Sequence, residues 1–128
     1  MSIIFRSREE APKTAPGRPS TFGEFWPFYL SVHRRKLTRA IHYVGTSLAL
    51  LLILGFAVTL DWRLLAAAPV AGYGIAMPSH PLIESNRPAT FRHPWWSLRA
   101  DFTMLFLAVA GRLAPELRRA GVAQEPGA

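Results

Sequence analysis

Two uncharged apolar stretches, separated by a short polar break, dominate the chain. Tyr43–Leu60 contains no charged residue, Asp61–Arg63 interrupts the pattern, and Leu64–Met77 is again uncharged. The 18 residues of the first stretch form a helix of roughly 27 Å at about 1.5 Å per residue. That length approaches the roughly 30 Å of a bilayer core. The pattern therefore predicts a helical hairpin that begins and ends on the same side of a membrane.

The second stretch is short for a membrane span. Leu64–Met77 reaches only about 21 Å as a helix, so a full span requires continuation past two prolines as far as Glu84. Small residues recur four apart on one face of this stretch: Ala68, Gly72 and Ala76. Small residues at this spacing let a neighbouring helix approach closely in lipid. A soluble helical hairpin is the alternative, because short apolar stretches also build buried cores.

The segment before the hairpin predicts a helix at the membrane surface. Thr21, followed three residues later by Glu24, matches a capping box, and Pro27 is expected at the first regular helical position. The aromatic residues of Phe25–Tyr29 precede a basic group, as in helices that lie at headgroup depth. The alternative is an amphipathic helix that packs on a soluble core.

A third apolar stretch, Phe102–Ala114, is short and is interrupted by Arg112. If it crossed the bilayer, Arg118–Arg119 would lie opposite the cytoplasmic face, against the usual Lys and Arg bias. We therefore expect a shallow or re-entrant helix, anchored at the interface by Trp95–Trp96. The predicted fold class is an all-α membrane protein, with a transmembrane helical hairpin and flanking interfacial or re-entrant helices.

Composition and charge placement support the membrane interpretation. The 128 residues carry 15 Lys+Arg and a net charge of +7, yet half of them are hydrophobic. The basic residues cluster before the first apolar stretch and after the second. This placement favours cytoplasmic loops over a nucleic-acid surface, and it predicts a cytoplasmic N-terminus. Because there is no cysteine, disulfides, thiolate metal ligands and a cysteine nucleophile are excluded.

The length leaves room for one domain, which we expect over residues 21–119. Proline and mixed charges predict disordered tails at residues 1–20 and 120–128. The N-terminal tail lacks the apolar segment of a secretory signal, so no cleaved leader is expected.

Three histidines flank the hairpin at its open end. His33 and His42 precede the first stretch, and His80 follows the second, four residues before Glu84. A nine-residue separation puts the first two on opposite faces of a straight helix. They can share a metal only if the chain bends, and Thr38 is the expected N-cap after the bend. Imidazole and carboxylate donors suit Fe²⁺. The alternative is that the histidines make hydrogen bonds or contact headgroups without a metal.

A family resemblance is carried by two segments, FYLSVHRRKLTRAIHYVGTSL and GYGIAMPSHPLIESNRPATFRHPWWSLRADFTM. They resemble the small membrane family typified by the fungal 2-hydroxy fatty acid dioxygenase of α-oxidation. The shared motifs are a histidine pair nine apart, a histidine four residues before a glutamate, and an Asn-Arg-Pro turn. The resemblance covers about Phe22–Leu113. It implies four metal-binding residues: His33, His42, His80 and Glu84.

The resemblance also implies a function, and one alternative stays open beside it. The implied function is an Fe²⁺-dependent oxygenation of 2-hydroxy fatty acids in a bacterial inner membrane, which shortens the chain by one carbon. Glu84 and Arg87 are the candidate catalytic residues: Glu84 as a ligand or as a partner that orients one, and Arg87 as a guide for the substrate carboxylate. These two residues could instead form a surface ion pair. The alternative function is a non-catalytic membrane protein that binds lipid or a protein partner, in an oligomeric state that the sequence leaves open.

Overall fold

The protein is helical throughout the residues that its computed structural model describes, 19–88, 90 and 92–122, and those residues contain no strand. Five α-helices follow one another: α1 (Phe22–Ser31), α2 (Lys36–Thr59), α3 (Trp62–Ala76), α4 (Pro94–Val109) and α5 (Leu113–Arg119). A π-helical turn, His80–Glu84, lies between α3 and α4. The predicted all-α class is confirmed.

The predicted disordered tails lie mostly outside the described residues. At the N-terminal boundary, Ser20 donates from its backbone N and its Oγ to the Glu24 carboxylate, at 2.9 and 3.0 Å. At the C-terminal boundary, Val122 is only 5% exposed and packs in the hydrophobic core. The contacts of these two residues are local at Ser20 and part of the core at Val122, and the expected domain bounds and tails remain predictions.

The helices α2 and α3 form a helical hairpin, with a connection of only two residues. The first helix ends where Leu60 adopts a left-handed conformation, with φ of 59°. Asp61 then caps α3 by accepting a hydrogen bond from the Arg63 backbone N–H at 3.1 Å. The Arg63 guanidinium donates to the same carboxylate at 3.0 Å. This local pairing reverses the chain within one tight turn.

The spacing of the hairpin is set by small residues. Gly45 on α2 lies so close to α3 that a Cβ added to it would be 2.9 Å from the Gly72 carbonyl oxygen. Ala68 and Ala76, on the same face of α3 as Gly72, are 1% and 7% exposed. The two alanines of the predicted small-residue face are therefore buried, and at Gly72 the face permits the close approach of the two backbones.

Among the described helices, only α2 is long and apolar enough to cross a bilayer. Just 11% of its most apolar segment is buried. Its exposed apolar residues form a stripe at helical spacing: Val44, Leu48, Leu51, Leu54 and Val58. An apolar stripe of this kind is typical of a surface that contacts lipid or another protein.

The second transmembrane span is not confirmed. The helix α3 has 15 residues and ends at Ala76, which is shorter than a bilayer core requires. It does not continue as one helix to Glu84, because Pro78 and Pro81 each lack a backbone N–H and interrupt helical hydrogen bonding. The helical hairpin is present, whereas a hairpin with two membrane-spanning arms remains a prediction.

The remaining helices build a hydrophobic core beside the hairpin. Its buried members come from α1, α4, α5 and the segment after them: Phe25, Tyr29, Leu30, Ala100, Met104, Leu113, Leu117 and Val122. A polar contact closes its edge, where the Trp26 indole N–H donates to a Glu116 carboxylate oxygen at 2.9 Å. This core holds α1 and α4 against each other at the open end of the hairpin.

The start of α1 agrees in part with the sequence prediction. The Thr21 hydroxyl accepts a hydrogen bond from the Glu24 backbone N–H at 3.1 Å, which confirms Thr21 as the N-cap. The Glu24 side chain, however, accepts from Ser20 rather than from Thr21. The placement of Pro27 at the first helical position is wrong, because capping by Thr21 starts the helix at Phe22 and leaves the proline inside it.

The third apolar stretch is divided between α4 and α5. Gly111, with φ of 74°, turns the chain between them. Trp95 at the start of α4 is 80% exposed, as expected of an interfacial anchor. Trp96 instead packs on Phe25, with 5.6 Å between ring centroids. The shallow or re-entrant placement of this stretch remains a prediction.

Replacing Gly45 by alanine should destabilise the protein. The new Cβ would lie 2.9 Å from the Gly72 carbonyl oxygen, so the two helices must separate. We expect the unfolding free energy to fall by about 1–3 kcal/mol, as for other overpacked sites, and thermal unfolding of detergent-purified protein would measure it. Gly74→Ala is the matched control, because no described atom lies within 4 Å of its added Cβ. Equal losses in both variants would contradict the close approach.

Candidate metal centre

The break between α1 and α2 brings His33 beside His42. His33 lies on the linker between the two helices rather than in either of them. Arg39, only 5% exposed, donates from Nη1 to the backbone carbonyls of His33 and Arg34 at 2.9 and 2.8 Å. The predicted bend exists, but Thr38 does not cap the helix after it. The helix α2 already begins at Lys36, with Arg35 at the N-cap position, so Thr38 lies buried within its first turn.

His80 is brought to the same place by the π-helical turn. Its Nδ1 lies 2.8 Å from the Asn86 amide oxygen. The Asn86 amide nitrogen donates to the Val32 carbonyl at 3.2 Å, so one side chain ties the turn to the linker. Turns with π-helical hydrogen bonding are frequent at functional sites, because their wider backbone redirects side chains.

The three imidazole rings form one buried cluster. Their centroids are 4.3 Å (His33–His42), 4.6 Å (His33–His80) and 5.2 Å (His42–His80) apart, with ring planes at 84–85°. Each residue is at most 5% exposed. One ring nitrogen from each lies within 4.8 Å of the others, a grouping that can hold a metal ion. We refer to these residues as the histidine cluster.

Hydrogen bonding indicates which ring nitrogens of the histidine cluster have a lone pair available for a metal. His33 Nδ1 lies 2.6 Å from the Tyr29 carbonyl oxygen, and His80 Nδ1 bonds the Asn86 amide oxygen. Both partners are acceptors, so Nδ1 carries the proton and Nε2 keeps its lone pair. His33 Nε2 and both ring nitrogens of His42 are buried, with no hydrogen-bond partner among the described residues.

Burial also sets the protonation state. It lowers the pKa of His33 well below the usual value, and the neighbouring histidines lower it further. Burial likewise lowers the pKa of His80. Neutral imidazole is the form that binds a metal. Buried polar atoms without partners are costly, so three clustered imidazoles, with unpartnered nitrogens on His33 and His42, fit a divalent ion such as iron or zinc.

Two residues that the sequence analysis missed support the cluster. The Tyr29 hydroxyl donates to the Asp101 carboxylate, and that carboxylate lies 3.5 Å from His42 Nδ1. The Tyr29 ring stacks on His33, with centroids 4.1 Å apart. Burial, followed by the Asp101 charge, raises the pKa of Tyr29, so its hydroxyl keeps its proton and donates. A carboxylate behind a histidine commonly orients a metal ligand.

The sequence did contain a signal for Asp101. This carboxylate stands directly before an uncharged apolar segment that continues to Gly111. An ionisable residue in such a segment is costly to bury, and it often marks a functional site. No local pattern pointed to Tyr29, because its role depends on a partner 72 positions away.

A comparison with known protein families identifies a family whose description agrees with this geometry. Residues 19–113 match the family described as 2-hydroxy-palmitic acid dioxygenase Mpo1-like. The chain belongs to the Mpo1-like family. The match includes the whole histidine cluster together with Glu84, Arg87 and Asp101. It confirms the family resemblance seen in the sequence. No curated protein and no solved structure matches the chain.

In this Mpo1-like protein, Glu84 does not join the histidine cluster. Its Oε2 accepts a hydrogen bond from the Arg35 backbone N–H at 2.6 Å, at the N-terminus of α2. Among the described residues, the group that could hold a metal contains the three histidines without Glu84. A carboxylate in this position stabilises a helix start. Arg87 is exposed on the segment after the π-helical turn. The roles predicted for Glu84 and Arg87 in catalysis remain predictions.

Two substitutions of Glu84 separate helix capping from metal ligation. Glu84→Gln keeps an oxygen that can accept from the Arg35 N–H, so its metal content should stay close to that of the wild type. Glu84→Ala leaves that N–H without its partner, at a cost of about 1 kcal/mol, and should lower stability and metal content moderately. Elemental analysis and thermal unfolding would measure both effects. If Glu84 is a ligand, Glu84→Gln should instead lose as much metal as His80→Ala.

Proposed function

We propose that this protein is a membrane Fe²⁺-dependent dioxygenase that converts 2-hydroxy fatty acids into fatty acids one carbon shorter. The observation that carries the proposal is the buried histidine cluster with unpartnered ring nitrogens. The chain belongs to the Mpo1-like family, whose description names 2-hydroxy-palmitic acid dioxygenase, and this membership supports the substrate class. Such a substrate has a hydroxyl and a carboxylate on adjacent carbons, so it can present two oxygens together.

The proposed reaction balances without an external reductant. One 2-hydroxy acid and one dioxygen give the shortened fatty acid, carbon dioxide and water. The bond between the carboxyl carbon and the hydroxyl-bearing carbon breaks. The electrons that the hydroxy acid loses reduce dioxygen to the oxidation level that oxygen has in a carboxyl group and in water. Iron held by the three imidazoles would supply the redox centre and the Lewis acid that this chemistry needs.

The residues around the cluster have separable roles in this proposal. His33, His42 and His80 would hold the ion, while hydrogen bonds to the Tyr29 carbonyl and the Asn86 amide orient the rings of His33 and His80. The Asp101 carboxylate, 3.5 Å from His42 Nδ1, would orient the third ring. A small cavity borders the cluster and is also lined by Tyr73, Met77 and Ser97. Its burial excludes bulk water, which strengthens the polar contacts inside it. Arg87 would guide the substrate carboxylate from the exposed side.

Membrane placement belongs to the same proposal. We infer that α2 crosses the bilayer and that the end carrying the histidine cluster faces the cytoplasm. The apolar exposed stripe of α2 supports the first point. The basic residues beside the cluster support the second, because cytoplasmic segments are enriched in Lys and Arg. A fatty acid held in the membrane would then reach the cluster without leaving the apolar layer.

Bound iron and turnover should be lost together in histidine variants. His33→Ala and His80→Ala each remove a proposed ligand, so each should reduce bound iron at least about tenfold and abolish oxygen consumption with 2-hydroxypalmitate. Elemental analysis, an oxygen electrode and mass spectrometry of the shortened acid would measure these effects. His93→Phe is the control, since it lies outside the cluster and keeps a ring to stack on Trp96. If the iron-replete, folded wild-type protein consumes no oxygen with any 2-hydroxy fatty acid, the proposed dioxygenase activity is refuted.

The orientation can be tested with single cysteines, because the chain has none of its own. Asp61→Cys at the hairpin tip should react with an impermeant maleimide added to intact cells. Ser85→Cys, near the histidine cluster, should react only after the membrane is permeabilised. This outcome follows from the charge placement. Labelling of both cysteines from outside would contradict the proposed orientation.

A further inference from the structure

A long apolar groove extends along the hairpin from the histidine cluster. It encloses about 540 Å³ between α2, α3 and α4, within the range of sites that bind small molecules. Only three of its lining residues have side chains that carry oxygen atoms: Thr46, Tyr73 and Asp101. A groove with this lining has few polar groups to offer, so its affinity must come mainly from burial of hydrocarbon.

The polar end of the groove meets the histidine cluster. Tyr73, Ala76 and Asp101 line both the groove and the small cavity around the three histidines. Thr46 lies one helical turn beyond His42 on α2. Polar groups are therefore concentrated at one end, and the rest of the groove is apolar. This polarity matches an amphiphile with a polar head at the histidines and a hydrocarbon tail in the groove.

We propose that the groove binds the acyl tail of the 2-hydroxy fatty acid, and that Ile53 and Leu65 set the length of tail it accepts. The inference rests on the proposed function, since it takes the head of the substrate to lie at the histidine cluster. Ile53 and Leu65 are the lining residues of α2 and α3 that lie farthest along each helix from His42 and His80.

The dimensions of the groove support a tail of defined length. From Ala76 to Leu65, α3 runs eleven residues, or about 16 Å at about 1.5 Å per residue. From His42 to Ile53, α2 covers the same number of residues. An extended hydrocarbon with C–C bonds of about 1.5 Å advances about 1.3 Å per carbon. The groove therefore accommodates about a dozen carbons before the tail reaches Ile53 and Leu65.

The side chains along the groove suit a narrow tail. Ala49, Ala68 and Gly72 lie along its middle and have at most a methyl group, which leaves space beside the closely packed helices. The larger side chains of Ile53 and Leu65 follow beyond them. A larger side chain at Ile53 or Leu65 should shorten the part of the groove that a tail can occupy, and a smaller side chain should lengthen it.

The test measures binding separately from catalysis. Native mass spectrometry of the detergent-purified, metal-free full chain would follow binding of 2-hydroxyoctanoate, 2-hydroxytetradecanoate and 2-hydroxypalmitate. In the wild type, affinity should rise with chain length, by up to about fourfold per buried methylene, and level off near 2-hydroxytetradecanoate, which has about a dozen carbons beyond the two of its polar head. Ile53→Phe should move the plateau to shorter chains. Leu65→Ala should move it to 2-hydroxypalmitate, a gain that loss of folding cannot produce.

Leu54→Phe is the matched control, because Leu54 is adjacent to Ile53 but is 52% exposed and is not part of the groove lining. Its chain-length profile should equal that of the wild type. The proposal is overturned if Ile53→Phe and Leu65→Ala also keep the wild-type profile, or if Ile53→Phe displaces a bound phospholipid or a second copy of the chain instead. Oxygen uptake by iron-loaded protein is measured in parallel. A shifted binding profile without oxygen uptake supports tail binding in the groove and refutes the oxygenase activity. Oxygen uptake with an unshifted profile supports the oxygenase activity and refutes tail binding in the groove.

Discussion

The hydrogen bonds from the buried Arg39 guanidinium to the linker are the contacts on which the site depends. On a straight helix His33 and His42 would lie on opposite faces. A buried guanidinium is costly unless hydrogen-bonded, and here it bonds the carbonyls of His33 and Arg34. Asn86 and Glu84 reach the same linker from the π-helical turn. Contacts from two sides thus fix the break that allows the histidines to meet.

The hairpin completes the arrangement begun by the linker. Its two-residue connection makes α2 and α3 antiparallel, so His42 and His80 return to one end of the pair. Close packing at Gly45 and Gly72 holds the arms together, and α4 adds Asp101 behind His42. The result is a buried polar cluster that opens into an apolar groove. This arrangement places the proposed metal site at the polar end of the groove that we propose for the acyl tail.

Local sequence patterns predicted the helical class, the main apolar helices and the three histidines that the structure brings together. Apolar periodicity and the polar break at Asp61–Arg63 predicted the hairpin, because helix formation and chain reversal depend on neighbouring residues. Thr21 was identified as an N-cap for the same reason. The three histidines were recognised from their positions at the open end of the hairpin and from the family motif, and the structure brings them together.

The tertiary structure decided how these elements meet. Asp101 lies behind His42 and binds Tyr29, 72 positions away, while Glu84 bonds the Arg35 backbone 49 positions away. No local pattern contains such pairings, because they exist only after the helices pack. The sequence by itself determined the main helices, their apolar faces and the presence of the three histidines. Packing between distant segments determined the position of the bend, the approach of the Asp101 carboxylate to His42, and the groove beside the cluster.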